Sequence, residues 1–296
     1  MISLIVITYN SRPLLPAFLA ALATTDDHDY ETIVVDNASS DGTVELLRAE
    51  HMNVRLIANE HNVGFGAACN RGMLAAHGDF FIFMNPDVLV TPPWLTVLRR
   101  NMAEHPDAAI SCPSTLYPHE TRSSATGVAN TAAVPGCALM LRRTAWEQIG
   151  GFDEAMFLYW EDTELCWRAW LLGWRVLEDL EAVVYHERGG STGGGRWEAE
   201  VAKNALYAHL KLRRWRAVVG FALRLLAKTG LRLGRGQTAL LGAWWWNLRH
   251  LPATLRSRRT ILRQRRANRT QIERLIALHT ERGRRERRER QTIQRS

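Results

Sequence analysis

The carboxylate of Asp87 stands at the end of an apolar run, where a side chain of this type could bind a ligand. It lies in the stretch GDFFIFMNPDVLV, after the five apolar residues Phe80 to Met84 and the pair Asn85 and Pro86. Asn, Pro and Asp commonly form turns, so a simple turn is one interpretation. The other is a site for Mg²⁺ or Mn²⁺ on a diphosphate, because these cations prefer carboxylate and phosphate oxygens.

A second acidic cluster lies in the aromatic stretch FLYWEDTELCWRAWLLGW and consists of Glu161, Asp162 and Glu164. A helix over this stretch would bury Leu165 and Ala169 and place Asp162 at its start. Acidic residues in the first turn of a solvated helix are favoured by the helix dipole, which is one interpretation. The other is a general base whose pKa is shaped by its apolar neighbours.

Asp36 and His186 each end a run rich in β-branched residues. Asp36 opens the stretch DNASSDGT and either forms an Asx turn or accepts hydrogen bonds from a nucleobase or ribose. A lone histidine is usually structural. At a strand end before the glycine-rich stretch HERGGST, with two acidic clusters upstream, His186 is also a candidate metal ligand.

Short apolar runs alternate with helix-like segments over residues 2–90, which predicts an α/β fold with helices wound around a parallel sheet. Such sheets bind ligands outside the carboxyl ends of their strands. The predicted strand ends carry Thr8, Tyr9, Asn10, Asp36, Asn37, Asn59, Asn85 and Asp87. We therefore expect one polar rim. Residues 110–135 are predicted to be loops, and residues 188–196 to be either a lid or a linker.

The charge of the chain is divided unequally along its length. Residues 1–210 hold 14 Lys and Arg against 26 Asp and Glu, whereas residues 211–296 hold 24 against 4. This predicts an acidic domain over residues 1–205 and a basic region over residues 206–296. The start MISLIVITYN resembles no signal peptide, and the four cysteines form no C-x-x-C pair, so we expect a cytoplasmic protein.

The basic region interleaves apolar and basic residues, but its longest charge-free run, residues 236–248, has only 13 residues. A membrane-spanning helix needs roughly 20. Amphipathic helices lying on an anionic membrane surface are one interpretation, with Trp244, Trp245 and Trp246 at the headgroups. Packing of these helices on the acidic domain is another. Nucleic-acid binding by the arginine-rich tail is a third, although no RNA or DNA module is recognisable.

Six stretches taken in order resemble the family 2 glycosyltransferases, which are inverting enzymes with the GT-A fold. They are SLIVITYN, IVVDNASSDGT, NEHNVGFGAACNRG, FFIFMNPDVLV, RRTAWEQIGGFDEAMFLYWEDTELCWRAWLLGWRV and VVYHERGGST, and they span residues 2 to about 192. The closest similarity is to the bacterial rhamnosyltransferase-like branch that builds cell-wall and surface polysaccharides. A P-loop and an H-E-x-x-H motif are both missing from the sequence.

The resemblance implies transfer of a sugar from a nucleotide-diphosphate sugar, with dTDP-rhamnose as the first donor to test, to a hydroxyl of a lipid-linked glycan. It implies Asp162 as the general base with Glu161 beside it, and Asp87 and His186 as ligands of Mg²⁺ or Mn²⁺. The residues expected to bind the nucleotide sugar are Thr8, Tyr9, Asn10, Asp36, Asn62, Gly64, Asn70, Arg71 and Asn85. Asn85 replaces the first carboxylate of the family's D-x-D motif, which predicts weaker metal binding. We expect peripheral attachment to the inner face of the cell membrane.

Overall fold

The computed structural model of the protein describes residues 1–50, 53–118, 120, 124–186 and 195–293. Within them, nine strands and ten helices follow one another, with helices alone after residue 186. The strands are β1 Ile2–Thr8, β2 Tyr30–Asp36, β3 Arg55–Ala58, β4 Phe80–Met84, β5 Val88–Val90, β6 Ala108–Leu116, β7 Val128–Asn130, β8 Ala138–Arg142 and β9 Arg175–His186. The predicted α/β fold with a helical C-terminal region is confirmed.

The helices that surround and follow the sheet differ in length. They are α1 Leu15–Ala23, α2 Thr43–Glu50, α3 Phe65–Ala75, α4 Trp94–Glu104, α5 Arg143–Ile149, α6 Glu161–Leu171, α7 Gly195–Leu212, α8 Trp215–Leu233, α9 Ala239–Gln264 and α10 Arg269–Ile293. Most of the glycine-rich stretch predicted as a lid or linker, residues 188–196, lies outside the described residues.

The first half of the sheet contains the parallel strands β3-β2-β1-β4. Strand β1 is apolar or β-branched except at Ser3 and is buried along its whole length, as expected for a central parallel strand. The register pairs Thr8 with Asp36, Asp36 with Ala58, and Val6 with Met84. The carboxyl ends of these strands therefore meet at one edge, as the sequence predicted.

The second half of the sheet is joined by antiparallel pairs, since β8 runs antiparallel to both β4 and β6. The prediction that residues 110–135 are loops is wrong for residues 110–116 and 128–130, because β6 lies between β8 and β9 and β7 pairs with β9. The misleading feature was the polar and proline-containing composition. Pro113 is accommodated at a shift in the β6–β9 register, where a strand tolerates proline.

Two hydrophobic clusters cover the two faces of the sheet. Because side chains alternate along a strand, Leu4 and Val6 point to one cluster, and Ile5 and Ile7 point to the other. Trp94 of α4 is fully buried in the first cluster. Full burial of one large apolar side chain contributes about 1.5–3 kcal/mol to the stability of the fold. The clusters on both faces therefore hold the sheet, and with it the strand ends, rigidly in place.

The C-terminal helices pack on the remainder of the protein. Trp167 and Leu171 of α6 form a cluster with Leu212 of α7, Ile261 of α9 and Ile276 of α10. The domain boundary predicted at residue 205 falls inside helix α7, which is continuous. The division into two regions stays a prediction. Within the described residues, no helix is both long enough and apolar enough to cross a membrane.

Candidate active site

Asp36 is held rigidly at the carboxyl end of β2. Its side chain is fully buried, and its carboxylate accepts hydrogen bonds from Thr8 Oγ1 at 2.8 Å and from the backbone N–H of Ser39 at 2.9 Å. The Ser39 hydroxyl donates a further bond of 2.5 Å. These three donors fix the orientation of the carboxylate, and they leave room for one more donor, because an ionised carboxyl group has about four acceptor positions.

The loops after β1 and β2 are fastened to each other through Asn10. Its N–H donates to Ser39 Oγ at 2.8 Å, and its side-chain oxygen accepts from the Ser40 N–H at 2.8 Å. Asn10 has a φ of 50°, a left-handed conformation that Asn adopts more readily than most residues. The neighbouring side chain of Tyr9 is 54% exposed, so its ring is available to a planar ligand at this edge.

A chain of amide groups connects the ends of β2 and β3 to the start of α3. Asn37 donates to the Gly64 carbonyl at 3.2 Å and accepts from Asn59 at 2.8 Å, and Arg71 donates to Asn59. Asn62 accepts from the Gly64 N–H at 2.9 Å. The polar atoms of Arg71 and Asn62 thus support these loops, and their predicted contact with the nucleotide sugar stays a prediction.

Gly64 provides the closest approach between the rim and the loop before α6. Its φ is +88°, and a Cβ atom there would collide with the Phe157 carbonyl. The next N–H, of Phe65, donates to that carbonyl at 2.9 Å. Asn70, one turn or more further along α3, exchanges hydrogen bonds with the Phe152 backbone at 2.8 and 3.0 Å. The amide of Asn70 thus holds the same loop through these two hydrogen bonds.

Asp87 and His186 form a pair across two strands. Asp87 directly precedes β5, and Val88 pairs with His186 in the antiparallel β5–β9 ladder. Asp87 Oδ1 lies 3.1 Å from His186 Nε2, and the two side chains remain 18% and 15% exposed. Burial by itself would lower the pKa of His186, but hydrogen bonding to Asp87 and Cys137 raises it to about 9.

A strained turn directly precedes the acidic residues Glu161 and Asp162. Tyr159 and Trp160 have φ values of 71° and 75°, which are unfavourable for bulky aromatic residues. Asn204 of α7, which is fully buried, holds this turn by donating to the carbonyls of Leu158 at 3.0 Å and Tyr159 at 2.9 Å. The C-terminal helices thus set the position at which α6 begins with Glu161.

The carboxyl groups of Glu161 and Asp162 are adjacent but have different partners. Asp162 Oδ2 accepts from the Gly136 N–H at 3.0 Å, and its Oδ1 accepts from Thr163. Burial raises the pKa of Asp162 above its ordinary value in spite of these bonds. Glu161 is 5% exposed, and its Oε2 is buried without a hydrogen-bond partner among the described residues. Burial, followed by repulsion from Asp162, raises the pKa of Glu161 to about 8.

Glu164, the third member of the predicted acidic cluster, has a different role. It is fully buried and forms ion pairs with Arg168 at 2.7 Å and with Lys211 at 2.6 Å. Lys211 also contacts Asp153 at 2.5 Å. These cations outweigh desolvation and lower the pKa of Glu164. Glu164 therefore ties α6 to α7 through Lys211.

Gly136 and Cys137 connect the segment that carries Asp87 to the start of α6. The Asn85 N–H donates to the Cys137 carbonyl at 3.1 Å, and the Gly136 N–H donates to Asp162. The segment Gly136–Cys137 leads into β8, which pairs with β4. Because adjacent Cα atoms are about 3.8 Å apart, the D-x-D-like segment and the start of α6 border the same short stretch of chain. The convergence of Asp87 and Asp162 on one cleft stays a prediction.

The sequence profile described as Glycosyl transferase family 2 matches residues 3–177. This match covers more than half of the chain, from β1 to the first residues of β9. The chain belongs to glycosyl transferase family 2. The resemblance inferred from the six sequence stretches is thereby confirmed.

Relatives of this family 2 transferase include an N-acetylglucosaminyl-diphospho-decaprenol L-rhamnosyltransferase of Mycobacterium tuberculosis. It is 28% identical over 289 residues, which cover 78% of this chain and 94% of the relative. Residues 1–349 of S. aureus TarS, solved with UDP, match at a TM-score of 0.54, with 21% identity over 73% of this chain and 67% of that one.

A mannosyltransferase from Pyrobaculum calidifontis, solved with GDP-Man and Mn²⁺, matches at a TM-score of 0.55 and 19% identity. The match covers 88% of this family 2 transferase and 86% of that chain. These similarities confirm the GT-A fold.

Asp87 and His186 are the residues of this family 2 transferase that best fit a divalent cation. Within the described residues, no group of three or more His, Cys, Asp or Glu side chains is arranged to hold an ion alone. One carboxylate and one imidazole 3.1 Å apart do fit Mg²⁺ or Mn²⁺ that takes its other ligands from a diphosphate and water. Binding would require the neutral imidazole, because a protonated ring has no free lone pair.

Three residues that support the site were not predicted from the sequence. Ser39 orients Asp36, Gly136 donates to Asp162, and Asn204 holds the turn before Glu161. Ser39 lies in the quoted stretch DNASSDGT, so its proximity to Asp36 was a usable signal. Gly136 and Asn204 carried no such signal, because each meets its partner only through the tertiary fold.

Proposed function

We propose that this family 2 glycosyltransferase transfers a hexose, with inversion, from a nucleotide-diphosphate sugar to a hydroxyl of a lipid-linked glycan in cell-wall or surface polysaccharide synthesis. The observation that carries the proposal is a pair of contacts at the carboxyl edge of the sheet. Asn85, two residues before Asp87, bonds Cys137, and Asp162 bonds the adjacent Gly136. Inversion by one displacement needs a base across the sugar from the leaving diphosphate. Two separate acidic centres supply those two positions.

In this mechanism, Asp162 accepts the proton of the acceptor hydroxyl on its carboxylate. The acceptor oxygen forms a bond to the anomeric carbon while the bond from that carbon to the diphosphate oxygen breaks, and the nucleoside diphosphate leaves with the electron pair. A raised pKa makes Asp162 a stronger base. Glu161, with a pKa of about 8, retains its proton at neutral pH and adds no second negative charge beside that base.

The rim of the sheet provides the donor site in this proposal. The exposed ring of Tyr9 can pack on a planar base, and the buried carboxylate of Asp36 fixes the strand end beside it through Thr8 and Ser39. Asp87 and His186 would hold a divalent cation at the diphosphate, with Asn85 beside them. When bound, this cation offsets the charge that develops on the leaving group. The rhamnosyltransferase relative makes dTDP-rhamnose the first donor to test and GlcNAc-diphospho-decaprenol the first acceptor.

We also propose that α8 and α9 rest on the inner face of the cell membrane. Val219, Leu223 and Leu226 of α8, and Trp245 and Leu248 of α9, are each between 54% and 65% exposed. Helical spacing places each set on one face, and Trp244 bonds Thr229 at 3.0 Å to join the two helices. The surplus of basic residues after position 210 favours anionic lipid.

Nucleotide-sugar binding and transfer are tested together. A thermal-shift screen of nucleotide sugars, with and without Mn²⁺ or Mg²⁺, should identify a donor that raises Tm more strongly with the cation. Incubation of that donor with GlcNAc-diphospho-decaprenol should release the nucleoside diphosphate and give a product whose anomeric configuration is inverted by NMR. A retained configuration, or no stabilisation by any nucleotide sugar, would contradict the proposal.

Membrane association is tested by sedimentation with liposomes that contain phosphatidylglycerol. The variant L223E/W245E should lose binding by about tenfold or more, whereas L74E, at a 77% exposed position on α3, should bind like the wild-type protein. Adding RNA at physiological salt distinguishes the nucleic-acid alternative. If RNA binds more tightly than the liposomes, the membrane proposal is wrong.

A further inference from the structure

An apolar groove lies between α7 and α8, outside the site described above. Its volume is about 270 Å³. The apolar side chains that line it are Trp160, Val201, Ala202, Ala205, Phe221 and Leu225. Pockets for small molecules usually measure 300–1,000 Å³, so the groove can hold a short length of chain but not a whole long lipid.

The rim of the groove is positively charged. Lys228 and Arg232 pair with Glu198 at 2.7 and 2.9 Å, so these three side chains together carry a net charge of +1. Arg224 also lines the groove and is exposed, and among the described residues its guanidinium forms no hydrogen bond or ion pair. An apolar interior with a cationic rim is complementary to a hydrocarbon chain that ends in a phosphate or diphosphate.

The groove reaches the turn that carries the proposed base. Trp160, one of its lining residues, directly precedes Glu161 and Asp162. The Trp160 ring lies 5.7 Å from His209, and His209 stacks on Phe221 of the groove at 4.1 Å. A ligand in the groove therefore contacts the residue next to the acidic pair.

We propose that this groove binds the part of the acceptor's hydrocarbon chain nearest its diphosphate, with Arg224 and Lys228 at the diphosphate. The inference rests on the proposed function and adds a subsite to it. Because the groove is short, the rest of the chain stays in the bilayer. The exposed apolar face of α8 lies on one of the two helices that form the groove. The groove would thus place the sugar end of a membrane lipid at Asp162.

The test compares two acceptors with the same head and different chains. GlcNAc diphosphate is attached either to decaprenol or to a methyl group, which is too short to enter the groove, and transfer is measured in detergent micelles, where bilayer binding does not contribute. Val201 is 36% exposed and lines the groove, so V201W should fill it without disturbing the core. We expect V201W to raise KM for the decaprenyl acceptor about tenfold and to leave KM for the methyl acceptor within twofold. L278W, at a 57% exposed site on α10, is the matched control and should change neither.

A second measurement does not depend on transfer. Decaprenyl phosphate with a photoreactive group in its first isoprene units should label peptides of α7 and α8 in the wild-type protein, and the label should fall in V201W. Labelling elsewhere, competition by phosphatidylglycerol at equal concentration, or an equal rise in both KM values in V201W would overturn the groove proposal. If the groove is labelled but neither acceptor is glycosylated, the groove stands and the proposed acceptor is wrong.

Discussion

Asp87 and Asp162 lie near the same two residues of the chain, yet their carboxylates have different surroundings. Asp87 faces the imidazole of His186 at 3.1 Å, in a position that is partly open to solvent. Among the residues that the structure describes, Asp162 has only neutral donors, from Gly136 and Thr163, with the buried carboxyl of Glu161 as its neighbour. One centre therefore offers a cationic partner, and the other offers none.

This difference teaches how one fold separates two kinds of acid chemistry. A carboxylate and an imidazole at hydrogen-bonding distance can bind one cation together once the ring is neutral, which suits a pair that works beside a metal and a diphosphate. Burial without a positive partner raises the affinity for a proton, which suits a base that must take one from a hydroxyl. The variants below test this contrast, from the largest expected effect to the smallest.

Asp162→Asn should cause the largest loss. The amide keeps the size of the side chain and can still accept from the Gly136 N–H, but it cannot take up a proton from the acceptor. We expect kcat to fall roughly 10³-fold, while the dissociation constant of the donor changes less than threefold. Asp107→Asn, at an exposed surface ion pair, is the control. Near-normal kcat in Asp162→Asn would remove this residue from the mechanism.

Asp87→Asn should reduce transfer by roughly 10–100-fold and raise the Mn²⁺ concentration needed for half-maximal rate, because the carboxylate ligand is lost. Chelation of divalent cations in the wild-type protein should reduce the rate to a similar level. Rates measured against metal concentration check both expectations. The contrast between the two centres would fail if Asp162→Asn, and not Asp87→Asn, changed the metal requirement.

Asn204→Ala tests the link between the C-terminal helices and the acidic turn. Loss of its bonds to Leu158 and Tyr159 should lower the free energy of unfolding by about 2 kcal/mol and also lower kcat, because the strained turn is released. Asn247→Ala removes a similarly buried amide that bonds Lys203 and Ala243. It should be destabilised to a similar degree with an unchanged kcat in the folded fraction. Equal kcat values for the two variants would contradict this role of Asn204.

Glu161→Gln should have the smallest effect on transfer, because the wild-type side chain is already neutral near pH 7. The pKa of Glu161 rises from an ordinary value of 4.5 to about 8 on folding. Between these values the folded protein holds a proton that the unfolded chain has lost, so the free energy of unfolding falls as pH rises, by at most about 1.4 kcal/mol per pH unit. Glu161→Gln should flatten this slope in urea titrations from pH 5 to pH 8. An unchanged slope would mean that another group controls it.

Much of the fold was predictable because the first 90 residues repeat one local pattern. The apolar runs ending at Thr8, Asp36 and Met84 became adjacent parallel strands, and their polar ends met at one edge. The second half was harder to predict, because β6 and β7 are stabilised by pairing with β8 and β9 and not by their own composition. A Ser, Thr and Pro-rich segment looks like a loop until its partner strands are known.

The sequence by itself determined which residue types stand at the strand ends and at the start of α6, since order and spacing along the chain are enough for that. Only the tertiary structure decided the role of each acidic residue. Glu164 and Glu161 are three residues apart in one helix. Lys211 and Arg168 neutralise Glu164, whereas the Oε2 atom of Glu161 is buried with no hydrogen-bond partner in the described part of the chain. The reason is physical: a carboxyl group's affinity for protons depends on the charges and solvent around it, and those come from distant parts of the chain.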